Sequence, residues 1–343
     1  MTPDAELVCP ACCSRLTPGA SSLTCVGCRR QFGVVAGIPD LRITPDADDR
    51  ARAMSLAARF DQSDFTGLMR EGGLLHDGSI SQNSTLRERF IAHNLAQSRT
   101  ASAYLDAVER EWGIALGPTE RLLEIGCGTG ALAASAAARG CRVVAVDISL
   151  RILILAKKRL AEAGLAGVRL ACCDGERLPF SPSSFDIVAG SDVIEHTPSP
   201  RSFIASCAAM LRSGGLLFLA TPNRFSLSLE PHVRLWGVGF LPRPLALRYV
   251  QALRKVSYRG VRPLSAFQLR RLLLAHGLEP RIVTPPVPIA TLGLYRGIEF
   301  RLVRLYNRVR TVPLMRSVLV AVGPFFHVFA RKGAGVGAPG RGD

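Results

Sequence analysis

The sequence predicts an α/β protein with a doubly wound, mostly parallel sheet, preceded by a small cysteine ribbon and carrying helical insertions. Three observations predict it. Short apolar runs alternate with helix-length segments between about residues 121 and 220, the pattern of strands covered on both faces by helices. Glycines at 126, 128 and 130 join the first of these strands to the next helix, where backbone must turn sharply and approach a ligand closely. Two Cys-x-x-Cys pairs stand near the start of the chain. The chain of 343 residues is 48% apolar, enough for a packed core and too much for a disordered polymer.

Residues 1–43 form the ribbon. Cys9, Cys12, Cys25 and Cys28 give two knuckles whose four thiolates can converge on one tetrahedral ion, and four cysteines leave no open coordination position, so the zinc expected there is structural. Two local disulfides are the competing reading. Five further cysteines (Cys127, Cys141, Cys172, Cys173, Cys207) and no export signal favour a reducing compartment instead. Cys13 is a bystander beside Cys12. Residues 44–83, rich in Asp, Gly and Ser, read as a linker or ordered loop.

Residues 84–331 carry the main domain. Strands are expected at Arg121–Ile125, Arg142–Val146, Val168–Cys172, Phe185–Ala189 and Gly215–Ala220. Helices are expected at Thr129–Arg139, Leu150–Ala163 and Pro200–Leu211. A helix at Ser265–His276, a strand at Pro280–Thr284 and a closing strand at Phe325–Ala330 complete it. The Gly-rich residues 332–343 read as a disordered tail.

The glycine loop alone leaves its ligand open. Gly126-x-Gly128-x-x-Ala131 also satisfies a dinucleotide fingerprint, with Asp147 near the ribose-binding distance. The residues downstream separate the readings. "LLEIGCGTG", "VVAVDIS", "LACCDGERLPF", "SFDIVAGSDVIEH" and "LRSGGLLFLATPN" follow one another in the order and spacing of the class I S-adenosylmethionine-dependent methyltransferases, which the chain resembles from about Glu120 to Asn223. The segment around "VIEH" is similar to the ubiquinone-type O-methyltransferases. That resemblance implies a Rossmann-like methyltransferase fold and S-adenosylmethionine as cofactor. It implies cofactor contacts from Glu124, Gly126, Cys127, Gly128 and Gly130 in the first motif. Asp147 would face the ribose hydroxyls, Ile148 would pack on adenine, Asp174 with Gly175 would meet the adenine amino group, and Ser191 would close the set. The "CPAC…C…C…GIPDL" pattern resembles zinc ribbons that activate RNA methyltransferases or precede some bacterial ones.

Methyl transfer from a sulfonium chiefly requires alignment, and a general base matters when the acceptor is protonated at neutral pH. His196, beside Glu195 after the fourth strand, is the candidate base, and His232 in "EPHVRLW" is a second candidate. A bond from His196 to backbone that merely holds the loop is the competing role.

Charge speaks about the acceptor. The formal net charge is +16, yet residues 1–221 balance at 23 basic and 23 acidic residues. Residues 222–343 carry 20 Lys and Arg against Glu230, Glu279, Glu299 and Asp343. Insertions at about 224–262 and 287–320 hold most of this excess. In the second, Leu294, Ile298, Leu302, Leu305 and Val309 recur at helical spacing among arginines. Such helices suit an anionic membrane surface or a lipid-linked acceptor. RNA and a lid packed on the core are the alternatives, since periodicity alone separates none of them. The longest uncharged runs, Ile282–Tyr295 and Ser317–Ala330, are shorter than the roughly 20 residues of a spanning helix. The expectation is a cytoplasmic enzyme, peripheral at the inner membrane face, that methylates O or N of a small-molecule or lipid-linked acceptor. An RNA methyltransferase and an inactive cofactor-binding adaptor remain the alternatives.

Overall fold

The computed structural model describes residues 6–71, 84–287 and 297–333. Packing divides the chain into two units, Met1–Ala189 with Met210–Arg212, and Gly190–Ala209 with Ser213–Asp343. The cysteine ribbon belongs to the first unit instead of standing apart from it.

In the first unit, β1 (Leu16–Pro18), β2 (Ser22–Cys25), β3 (Gln31–Val35) and β4 (Ile38–Pro39) form an antiparallel sheet in that order. The segment expected as linker or loop folds instead as α1 (Ala47–Ala58) and α2 (Phe65–Glu71). Its acidic residues are helix-start signals, not loop markers. The Asp46 side chain accepts from the Asp49 amide, Asp48 and Asp49 occupy the first turn, and Ala53 and Leu56 are buried. Residues 72–83 of that segment lie outside the described residues.

The long helix α3 (Ser84–Trp112) leads to β5 (Arg121–Ile125), α4 (Ala131–Ala138), β6 (Arg142–Asp147), α5 (Leu150–Glu162), β7 (Arg169–Cys172) and β8 (Phe185–Ser191). The strand order is β8-β5-β6-β7, with β5–β6 and β6–β7 parallel. The apolar cores of β5 and β6 are buried on both faces, as expected from their continuous runs. Helix α4 starts two residues later than expected because Gly130 adopts φ 78° and stands before it. Gly130 also approaches α5, where an added Cβ would lie 3.1 Å from the Ala156 methyl. Gly130→Ala should therefore cost about 1–2 kcal/mol for the left-handed backbone alone, read as a lowered denaturant midpoint.

The second unit contains α6 (Pro200–Met210), β9 (Leu211–Pro222), α7 (Arg243–Arg254), α8 (Ala266–Leu274), β10 (Leu278–Val283), α9 (Gly297–Val309), α10 (Pro313–Val322) and β11 (Phe325–Lys332). Its strands run antiparallel in the order β10-β11-β9. Helix α8 begins with a full capping box between Ser265 and Gln268. The closing strand extends through Lys332, whose ammonium donates to the Ala208 carbonyl at 2.7 Å. The tail therefore starts later than expected, and residues 334–343 lie outside the described residues.

The first insertion folds around its own small core of Val233, Val238, Ala246, Val250 and Tyr258. The second behaves differently. In α9 the polar pair Tyr306 and Asn307 ties the helix to residues 285–287 through Pro285 O, Val287 N and Val287 O. Leu302 and Leu305 face solvent, and in α10 Leu314 is 80% exposed and no residue is buried. This part of the expected stripe does not pack on a core. Leu294 lies outside the described residues, as does the side chain of Ile298.

Candidate functional site

At the end of β5 the chain turns through the glycine loop. The Gly128 amide donates to Asp147 Oδ2 at 2.9 Å, and the Ser149 amide donates to Asp147 Oδ1 at 2.9 Å. Asp147, at the end of β6, thereby braces both the glycine loop and the start of α5, which Ser149 caps. Burial pushes its carboxyl above the usual range. The Cys173 amide donates to Asp147 O at 3.0 Å, which brings the end of β7 to the same place. Asp174 accepts from the Glu176 amide in the following turn, with Gly175 between them. Thr129, inside the loop, donates to Asn94 of α3 and receives a hydrogen bond from Arg159 of α5. The first unit thus gathers Glu124, Gly126, Cys127, Gly128, Gly130, Asp147, Ile148, Asp174 and Gly175 at the carboxyl ends of β5, β6 and β7, where open α/β sheets take ligands.

Three features leave room for a ligand. No atom lies within 4 Å of where a Cβ on Gly128 would stand. Ile148, an apolar residue beside Asp147, is 58% exposed. Glu124 is buried with its Oε2 atom unpartnered, and burial raises its pKa to about 8 despite a hydrogen bond from the Ala133 backbone. A buried acceptor without a donor is costly unless a ligand or water meets it. These residues fit a cofactor that offers an amino group, a ribose and a flat base. The Cys127 thiol is buried and its pKa pushed far up, so it packs and does not attack.

The ribbon sulfurs converge as the spacing implied. Cys9 and Cys28 Sγ lie 3.7 Å apart, Cys12 and Cys25 Sγ 3.4 Å apart, and all four fall within 4.8 Å of one another. Four thiolates bound at ~2.3 Å to one tetrahedral ion would stand about 3.8 Å apart, whereas a disulfide needs about 2 Å. No disulfide is present among the described cysteines. Cys13 and Arg29 occupy the same left-handed position in the two knuckles, with φ 59° and 62°. Cys13 therefore closes a turn. The donor set fits a structural zinc ribbon.

In the second unit, β8 ends at Ser191, whose hydroxyl donates to Asp192, and a single 3-10 turn follows at Ile194–His196. His196 and His232 meet through their Nε2 atoms at 3.1 Å. The other ring nitrogen of His232, Nδ1, lies 2.6 Å from Glu230 Oε1, and Glu230 Oε2 accepts from the amides of His232 and Val233 at 2.9 Å each. Tyr258 also hydrogen-bonds Glu230. Burial lowers the pKa of His196, and the neighbouring His232 lowers it further. For His232 burial also acts downward, but the Glu230 carboxylate outweighs it and the net shift is upward. The two rings are thus polarised in opposite directions, with His232 the stronger proton acceptor. Beneath them Glu195 is fully buried, accepts from Thr221 Oγ1 at 3.0 Å, and has its other oxygen unpartnered. Burial lifts it to about 7. Glu195, His196 and His232 can each bring one donor atom within 4.8 Å of the others. Sequence reasoning named both histidines but missed Glu230. Its Glu-x-His spacing was the available signal.

A family model described as a methyltransferase domain matches residues 123–219. The ubiquinone biosynthesis O-methyltransferase of Parvibaculum lavamentivorans is 33% identical over 207 residues, which are 59% of this chain and 73% of that protein. The enzyme of the same name from Idiomarina loihiensis is 30% identical over 161 residues, 47% of this chain and 62% of its own length. Against the one from Aromatoleum aromaticum the match spans 50% of the relative's length. Among solved structures, the YcgJ protein from Bacillus subtilis matches at 17% identity with a TM-score of 0.47, over 69% of this chain and 100% of that one. With the motifs of residues 122–223 in place on the sheet, the chain belongs to the class I S-adenosylmethionine-dependent methyltransferases.

Proposed function

We propose that this enzyme methylates a hydroxyl oxygen of a small, lipid-linked acceptor. The observation that carries an oxygen acceptor is the Glu230–His232–His196 chain of contacts. A neutral hydroxyl must shed its proton as the new bond forms, and a carboxylate-oriented imidazole is suited to take it. The curated relatives are named as O-methyltransferases, which agrees with this choice.

S-adenosylmethionine would supply the methyl group from its sulfonium, whose sulfur departs as a neutral thioether. The protein does the rest. Asp147 and Ile148 would hold the ribose and adenine, Asp174 and Gly175 the base edge, and Glu124, Gly126, Cys127, Gly128 and Gly130 the amino acid end. Glu230 fixes the His232 ring by Nδ1, so that Nε2 faces His196 Nε2 and the acceptor proton would enter through this imidazole pair. His196 shares the proton afterwards. Cys9, Cys12, Cys25 and Cys28 would hold one structural zinc.

The lipid-linked character rests on α9 and α10. Arg301, Arg304, Arg308 and Arg316 surround the exposed Leu302, Leu305, Leu314 and Val318, and no helix among the described residues is long and apolar enough to cross a membrane. A basic helix pair with bare apolar side chains suits the interface of an anionic bilayer.

Calorimetric titration with S-adenosylmethionine, followed by methyl-transfer assays on hydroxyl- and amino-bearing acceptors, tests the reaction. Transfer to oxygen that needs no metal beyond the ribbon zinc supports proton abstraction. Transfer only to nitrogen, or binding without any transfer, overturns it. Flotation with phosphatidylglycerol vesicles tests the surface. Binding is expected to keep a salt-resistant part, and removal of Arg301, Arg304 and Arg308 together should weaken it on the order of 100-fold. Retention on RNA that vanishes steeply with salt, without vesicle binding, would instead mark an RNA enzyme.

A further inference from the structure

The ribbon does more than precede the catalytic fold; both of its ends are bonded to β7 or to the loops that follow β6 and β7. Leu7 bridges to Phe180, and the Val8 amide donates to Pro179 O at 2.9 Å. At the other end of the ribbon, Asp40 pairs in parallel with Cys172, the last residue of β7, and the Leu41 amide donates to Cys172 O at 2.7 Å. Two residues on, Arg42 enters the interior. Its Nε and Nη2 donate to the two oxygens of Asp40 at 2.7 Å each. Its Nη1 donates to Asp49 Oδ2 at 2.9 Å and to the Ile148 carbonyl at 3.0 Å. Asp49, from the first turn of α1, accepts in turn from Ser149 Oγ at 2.6 Å and from the Leu150 amide at 2.8 Å.

Arg42, Asp40 and Asp49 are 6%, 1% and 5% exposed. Arg151, also buried, stands 4.0 Å from Asp49 Oδ1, so two cations share two carboxylates; such burial is rarely the most stabilising choice, since a well-packed apolar cluster often does as well. Such a network does fix geometry, because a planar guanidinium binds in set directions. Here the geometry fixed is that of the peptide between Ile148 and Ser149. Arg42 holds its carbonyl, Asp147 holds its amide, and Asp49 holds the Ser149 hydroxyl. Asp49 also satisfies an end amide of α5 that no residue within the helix can reach.

We propose that Arg42 is a positioning residue for the cofactor: through the Ile148 carbonyl and Asp49 it sets the direction in which Asp147 and Ile148 present themselves, and so couples the ribbon to cofactor affinity. The inference rests on the assignment of Asp147 and Ile148 to S-adenosylmethionine. Arg42 itself touches neither cofactor nor acceptor in this role. A preorganised loop binds without first being ordered.

The test is the S-adenosylmethionine dissociation constant, measured by calorimetry on full-length, metal-loaded protein carrying Arg42→Met, Arg42→Lys or Asp49→Asn. Arg42→Met should weaken binding by roughly tenfold or more, the size typical when an outer partner that orients a binding group is removed. KM for the cofactor should rise in parallel while kcat at saturating cofactor and KM for the acceptor change far less. Arg42→Lys keeps the charge but not the fork, and should restore only part of the affinity. If Arg42→Met does not fold, Arg42→Lys and Asp49→Asn carry the same expectation. Wild-type affinity in these folded variants overturns the proposal and leaves the cofactor assignment standing. Wild-type protein that binds no S-adenosylmethionine overturns both.

Discussion

His232→Ala is expected to lower kcat by about 10²–10⁴-fold, the range for loss of a positioned general base, with cofactor affinity close to that of the wild type. The expectation follows from where its nitrogens point. Nδ1 is engaged by Glu230, and Nε2 meets only another imidazole. Glu230→Gln should fall between wild type and His232→Ala, because an amide can still orient the ring but no longer raises its basicity. Its amide contacts to residues 232 and 233 keep the loop in shape, so a folding defect is not the expected outcome. His196→Ala discriminates between base and neighbour. A loss much smaller than that of His232→Ala identifies His232 as the acceptor of the proton, and a larger loss moves that role to His196. Single-turnover methyl transfer with labelled cofactor is the measurement, and full activity in both alanine variants would remove the pair from the chemistry.

Metal removal is expected to have the largest effect on stability. Structural zinc sites contribute apparent free energies of about 10–16 kcal/mol in small peptides, comparable with the whole net stability of a domain. The ribbon strands are three, four, five and two residues long, too short to hold together without a cross-link. One zinc per chain should be found by elemental analysis, and Cys25→Ser should abolish it. Tryptic cleavage at Arg29 and Arg30, now in and beside the second knuckle, should then become fast. Metal-free protein with an intact ribbon that melts only under reducing agents would instead establish disulfides.

The parts of the fold that could be read in advance are those whose determinants lie close together in sequence. Gly126, Gly128, Gly130 and Asp147 form one strand-turn-helix-strand unit, and the knuckle cysteines declare themselves by spacing. Helix α1 was obscured because Asp46, Asp48 and Asp49 look like loop residues until their capping role is seen. The Arg42 network could not be read at all. Its partner Asp49 is seven residues away, but the carbonyl it holds is 106 residues away, and nothing local marks an arginine for the interior. Helix α9 shows a third limit. Leucines at helical spacing are equally compatible with a core and with an open face, and the polar residues Tyr306 and Asn307 turned out to be the ones that anchor it.

The ribbon and the loop it braces belong to one polypeptide, and this has a consequence for how the enzyme behaves on dilution. Two modules joined by a short chain meet at an effective concentration in the millimolar range, far above any cellular protein level. A separate ribbon subunit would detach as its concentration fell, and cofactor occupancy would follow an association equilibrium. Here that equilibrium does not exist. The stoichiometry is fixed at synthesis, so each molecule carries its own brace from the first turnover.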